Sequence, residues 1–195
     1  MKESRCAAQM QALRVDVSEN ERVRWLKFEL ALVLAEATGR RLGSIQQLRW
    51  EDVDFDKHTI CWRHDADKRG REWLMPMPKS LADELRDFQR QLGAVGGWMF
   101  PGERKPDQFM DRHQFDKWLR VAEEHAGLPS LGNGLWHPYR RKWGTERKHL
   151  PVTDVAAAGG WKDVNTLLTC YQQPDSETLL AVVGEARKVR EMGVG

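Results

Sequence analysis

The chain has 195 residues, enough for one domain or a domain and a half with a core of useful size. Lys and Arg number 31 against 29 Asp and Glu, a formal net charge of +2, with 41% hydrophobic and 31% charged residues. That is a globular composition and excludes a disordered or membrane-embedded chain. A charge so near zero decides nothing about a nucleic-acid partner, because clustering of cations matters more than their sum.

The N-terminus, MKESRCAAQMQALRV, has no apolar run of signal-peptide length, and no later stretch approaches transmembrane length. Cys6, Cys61 and Cys170 are odd in number and sparse, which argues for a reducing cytoplasm rather than a disulfide framework. Cys61 and His64 form a C-x-x-H, but no second ligand pair follows at zinc-site spacing, so no metal is expected.

Residues 1–17 carry little pattern and read as a tail or linker. Ser18 followed by Glu21 is a capping-box signature, and Leu26, Leu30, Val33, Leu34 and Ala37 then share one helical face until Gly39. Ile45, Leu48 and Trp50 predict a second helix, followed by an acidic stretch at Glu51, Asp52, Asp54 and Asp56. The period then changes. His58 to Arg63 and Glu72 to Met75 read as two strands of a hairpin joined by the polar segment His64 to Arg71, and Val53 and Phe55 supply a short third strand. Leu81, Leu85, Phe88 and Leu92 return to helical spacing, as do Phe115, Trp118, Leu119, Ala122 and Ala126. Pro138 suits the first turn of a helix beginning near His137. Thr153 is the expected cap of a short helix ending at Gly159-Gly160; another runs from about Val164 to Tyr171, and a last amphipathic segment covers 176–191. The fold class is mainly α with one small antiparallel sheet.

Cations cluster in three places: the segment His137 to Lys148, the pair Arg40-Arg41, and Lys68-Arg69-Gly70-Arg71 at the hairpin tip. Taken singly, each reads as a solvated surface patch. Tyr139, Trp161 and Tyr171, taken singly, read as packing residues.

Their order says more. Thr38-Gly39-Arg40-Arg41-Leu42 is followed by Leu48-Arg49-Trp50-Glu51-Asp52-Val53-Asp54, and a basic hairpin tip runs into Leu74-Met75-Pro76. His137-x-x-Arg140 comes next, then Gly160-Trp161, and ten residues later Tyr171. No one of these motifs is specific, but the ordered set resembles the catalytic domain of the tyrosine recombinases, the phage-integrase family, over roughly residues 20–185. The resemblance implies that fold for 18–195, with the family's N-terminal core-binding domain absent. It implies Arg41 as the first catalytic Arg, two residues after the Gly of a T-G-x-R turn, with Arg40 at the variable position. It places the catalytic Lys in the hairpin turn, where Lys68 matches best and Arg69 and Arg71 are register alternatives. His137 and Arg140 form the His-x-x-Arg pair, Trp161 stands where members carry His or Trp, and Tyr171 is the nucleophile. Two departures are visible: Ser44 stands where many members have an acidic residue, and Pro138-Tyr139 where Asp-Leu is common.

The reaction so implied is attack of the Tyr171 hydroxyl on a phosphodiester of double-stranded DNA, giving a 3′-phosphotyrosyl link and a free 5′-hydroxyl, with religation needing neither metal, cofactor nor ATP. A free phenol titrates near ~10, so it needs a proton acceptor during attack, and His137 fits. Arg41 and Arg140 suit the charged non-bridging oxygens, Lys68 the leaving oxygen, and the Trp161 indole N–H positions the phosphate. The same resemblance implies tetramer formation on DNA through the C-terminal segment and a cytoplasmic, nucleoid-associated setting; Leu179, Leu180, Val182 and Val183 suit either a neighbouring protomer or the chain's own core. The competing readings are a non-cleaving DNA-binding protein of the same fold and a type IB topoisomerase-like enzyme. A small-molecule enzyme lacks support, since neither a nucleotide-binding Gly-rich loop nor a G-x-S-x-G elbow occurs.

Overall fold

The Ser18 capping box opens the first long helix, α1 (Glu19–Thr38), in the computed structural model, which describes residues 8–11, 18–63, 72–131, 134–172 and 174–184. Glu21 Oε2 accepts both the Ser18 backbone N–H at 3.0 Å and its hydroxyl at 2.7 Å. At the other end Gly39 takes the left-handed conformation (φ 62°) and its N–H reaches the Ala35 carbonyl at 3.1 Å. A Cβ there would sit 2.4 Å from the Trp143 ring, so this turn requires glycine for both reasons. Phe28, Leu30, Ala31 and Leu34 are fully buried, which makes α1 the central helix.

The single helix expected over 45–50 is two pieces instead: α2 (Leu42–Ile45) and a 3-10 turn (Trp50–Asp52). Non-local pairing takes the segment between. Arg49 is extended and bridges Trp98, the Trp50 N–H donates to the Gly97 carbonyl at 2.9 Å, and the Leu48 carbonyl accepts from Met99 at 3.0 Å. The three expected strands are present as β1 (Val53–Asp54), β2 (Thr59–Trp62) and β3 (Trp73–Pro76), antiparallel in the order β1-β2-β3. Ile60 pairs with Val53 on one side and Met75 on the other. Ile60 and Trp62 face the core, and Thr59 and Cys61 alternate outward, the period-two burial of a one-sided sheet.

Further helices follow among the described residues: α3 (Lys79–Gln91), α4 (Arg112–His125), α5 (His137–Glu146), α6 (Val152–Gly159), α7 (Val164–Cys170) and α8 (Ser176–Gly184). Pro138 lies in the first turn of α5, where a backbone N–H would lack an intrahelical partner anyway. Pro151, not Thr153, caps α6. The main core gathers around α1 and includes Ile45, Trp50, Ile60, Phe115 and Trp136. A second, smaller core of Trp143, Val155, Ala156, Trp161, Leu167 and Tyr171 lies between α5, α6 and α7. Within the stretch read as tail, residues 8–11 are helical: Met10 joins the main core, and buried Gln9 accepts the Tyr139 hydroxyl at 3.2 Å. No residue of α8 is buried. Among the described residues no helix is long and apolar enough to cross a membrane.

Candidate active site

Tyr171 follows the last turn of α7, and its N–H still bonds the Leu167 carbonyl at 3.0 Å. The end of α5 holds it from the other side. The Thr145 hydroxyl donates to the Tyr171 carbonyl at 2.6 Å, and the Gln172 amide donates to the Gly144 carbonyl at 3.1 Å. So fixed, the Tyr171 side chain is 8% exposed and its hydroxyl lies 2.9 Å from Nε2 of His137, the first residue of α5. Thirty-four residues of sequence separate the two.

His137 shares the first turn of α5 with Arg140, which is almost wholly buried at 3% exposure. Arg140 Nη1 donates to the carbonyls of Gly39 and Gly159, and its guanidinium carbon lies 3.5 Å over the Trp161 ring. Trp161 in turn stacks on Trp143 (5.9 Å, 23°) and meets Tyr171 edge-on (5.3 Å, 69°). The aromatic pair fixes the indole, and the indole fixes the guanidinium plane. Arg41 precedes α2, is exposed, and donates from Nη1 to the Gly160 carbonyl at 3.3 Å. Three of the donors gathered here are buried without a hydrogen-bond acceptor among the described residues: Arg140 Nε, Arg140 Nη2 and Trp161 Nε1. Unpaired buried donors occur elsewhere in the fold too, at Trp118 and Trp136 for example; what sets these three apart is that they lie together beside Tyr171.

The electrostatics agree with this. Burial lowers the His137 pKa, and the cations Arg141, Arg140 and Arg41 lower it further, which favours a neutral imidazole able to accept the tyrosine proton. Burial, with Arg41 nearby, pushes Arg140 down to about 9, while Tyr171 acts in the opposite sense; the guanidinium keeps its charge at neutral pH. A cavity of about 30 Å³, room for about one water, lies between Arg40, Arg41, Arg63 and Gly160.

Five of the six residues singled out from the sequence, Arg41, His137, Arg140, Trp161 and Tyr171, therefore meet through a continuous set of contacts. Lys68 and its alternatives Arg69 and Arg71 lie outside the described residues. The cationic segment 137–148 is not one patch. Arg147 packs on Trp143 at 4.3 Å, Lys142 pairs with Glu36 at 3.5 Å and Lys148 pairs with Asp175, whereas Arg140 turns into the site and Arg141 acts on His137 by its charge. Sequence reasoning missed Trp143, Thr145 and the buried role of Arg40. The apolar signal for Trp143 was present inside the basic segment, whereas nothing local marks Thr145 or Arg40, whose partners are distant in the chain.

The phage integrase family model matches residues 8–178, and the chain belongs to that family. A protein of Pseudomonas syringae described as a tyrosine recombinase XerC is 23% identical over 159 residues, 76% of this chain and 33% of the relative. The crystal structure of the XerA recombinase superposes with a TM-score of 0.68 at 16% identity, covering 96% of this chain and 63% of that one. That of the XerH site-specific recombinase in a pre-cleavage complex with difH substrate gives 0.67 at 18% identity, covering 93% of this chain and 53% of that one. The chain thus has the tyrosine-recombinase catalytic fold and spans less than two thirds of each of these proteins.

Proposed function

We propose that this chain cuts and rejoins a strand of double-stranded DNA, with Tyr171 as nucleophile and a 3′-phosphotyrosyl intermediate, as the strand-transfer unit of a site-specific recombinase. One observation carries the reading: the Tyr171 hydroxyl rests on His137 Nε2 beside the acceptorless buried donors of Arg140 and Trp161. His137 takes the phenolic proton as oxygen attacks phosphorus. Arg41, Arg140 and Trp161 donate to the non-bridging oxygens, where negative charge builds in the five-coordinate state. Lys68, with Arg69 and Arg71 as alternatives, protonates the leaving 5′-oxygen. The bond energy stays in the phosphotyrosine, so religation requires no nucleotide. Self-association on DNA through the segment that begins with α8 belongs to the same reading, and exposed Leu179, Leu180, Val182 and Val183 support it.

The test uses nicked suicide duplexes with randomised sequence around the nick, scored as covalent protein–DNA adduct on a denaturing gel. Wild type is expected to form an adduct whose digest yields a phosphotyrosyl peptide containing Tyr171, and Tyr171→Phe to bind DNA without forming one. An adduct that survives in Tyr171→Phe sinks the assignment. Binding without any adduct by wild type favours the non-cleaving alternative, and relaxation of supercoiled plasmid without sequence preference favours the topoisomerase-like one.

A further inference from the structure

At the carboxyl end of α6, the negative end of the helix dipole, the Gly160 N–H donates to the Ala157 carbonyl at 3.1 Å and the carbonyls that follow lie beyond the reach of the helix's own N–H groups. Guanidiniums take four consecutive carbonyls there. Arg40 Nη2 donates to Ala157 at 3.3 Å and Arg40 Nε to Ala158 at 2.9 Å; Arg140 reaches Gly159, and Arg41 reaches Gly160 at 3.3 Å. Two of these three arginines belong to the proposed phosphate site. Arg40 is different. It is 9% exposed, lies 4.9 Å from the centre of the Trp62 ring, and donates from Nε and Nη2 to backbone carbonyls. Gly160 is left-handed (φ 66°), and a Cβ there would sit 2.4 Å from Arg40 Nη1, so the guanidinium lies flush on the turn that leads directly into Trp161.

We propose that Arg40 is a positioning residue for strand cleavage. It ties the 157–160 turn to the 39–41 turn, and so sets where Trp161 and Arg140 present their donors. Arg140 bridges the same two turns through Gly39 and Gly159, so a slip between them moves its guanidinium directly. Arg40 reaches the phosphate through these neighbours and makes no contact with it. Its two bonds diverge from one planar fork, which an ammonium cannot reproduce. Ser44 gives Arg41 no carboxylate buttress, and the anchored Gly160 carbonyl takes that place. The inference rests on the cleavage reading above.

The experiment compares wild type with Arg40→Met, which keeps an unbranched stem but removes the guanidinium and its contact over Trp62, and with Arg40→Lys and Arg40→Ala. Single-turnover adduct formation at saturating suicide duplex, Kd for that duplex and amide exchange are measured for each. Arg40→Met is expected to slow cleavage by roughly 10²-fold, the scale of a small misplacement of catalytic groups, with Kd unchanged. Arg40→Lys recovers part of the rate, and guanidinium ion below denaturing concentration recovers part of the Arg40→Ala rate. Exchange in Arg40→Met quickens at Gly160 and Trp161 and not in α3 or α4. A wild-type cleavage rate in Arg40→Met overturns the proposal. So does a loss of Kd that accounts for the lost rate, which makes Arg40 a DNA contact, or quickened exchange throughout, which makes it a general folding residue. If wild type forms no adduct, the cleavage reading fails first, and unchanged exchange at Gly160 and Trp161 in Arg40→Met separately overturns the tether.

Discussion

In the proposed reaction, His137 can take the Tyr171 proton only if its ring is neutral as DNA arrives. Burial and three nearby arginines lower its pKa below the ordinary 6.5, so the neutral form persists into mildly acidic solution. The sign follows: a base whose pKa is depressed is active above that pKa and lost as pH falls through it. Cleavage measured at sub-saturating DNA reports the free protein, and its rate is expected to stay flat through neutrality and fall only below about pH 6.5. If His137 worked instead as a cation on the phosphate, the rate would rise as pH falls through the same window. That these residues converge was legible only through motif order. Trp161 and Tyr171 read as packing residues taken alone, and they are indeed buried in the small core. Arg40 was not legible, because its acceptors lie 117 and 118 residues away and no local pattern announces them.

Elements hold the site by joining their ends. The first turn of α5 supplies His137 and Arg140, the end of α6 supplies the carbonyls, and the end of α7 supplies Tyr171. Local signals marked two of these helices: Pro138 near the start of α5 and the Gly-Gly that ends α6; the cap of α7, Asp163, whose side chain accepts the Asn165 N–H at 2.9 Å, went unread. They failed at 45–50, where pairing with residues 97–99 overrides helical spacing. The joints between elements were equally hidden, since Thr145 reads as an ordinary helical residue until its hydroxyl is seen on the Tyr171 carbonyl. Thr145→Val keeps the shape and removes that donor. The expected loss is about 1 kcal/mol, a fall of roughly 3 °C in Tm for a chain of this size. Adduct formation is expected to slow as well, because the carbonyl released belongs to the proposed nucleophile. A Tm fall with an unchanged cleavage rate would mean that α7 alone holds Tyr171 in place.

At the scale of the molecule, α8 stands apart from everything that positions the site. It has nine residues, none buried, and a helix so short is marginal by itself in water. Leu180 and Val183 are 73% and 81% exposed and, three residues apart, share one face with their side chains in solvent. The sequence left two destinations open for them, and the structure does not fold them back on the chain's own core. A second copy on the same DNA is then the partner that the proposed recombination calls for. Leu180→Glu combined with Val183→Glu tests this. Exposed substitutions move stability by no more than about 0.5 kcal/mol, so Tm is expected to hold. Sedimentation on a duplex carrying two selected sites should show wild type assembling beyond independent occupancy, and the double variant binding each site separately. A clear fall in Tm would instead mean that α8 packs on its own core in solution, and unchanged assembly would mean that another surface joins the copies.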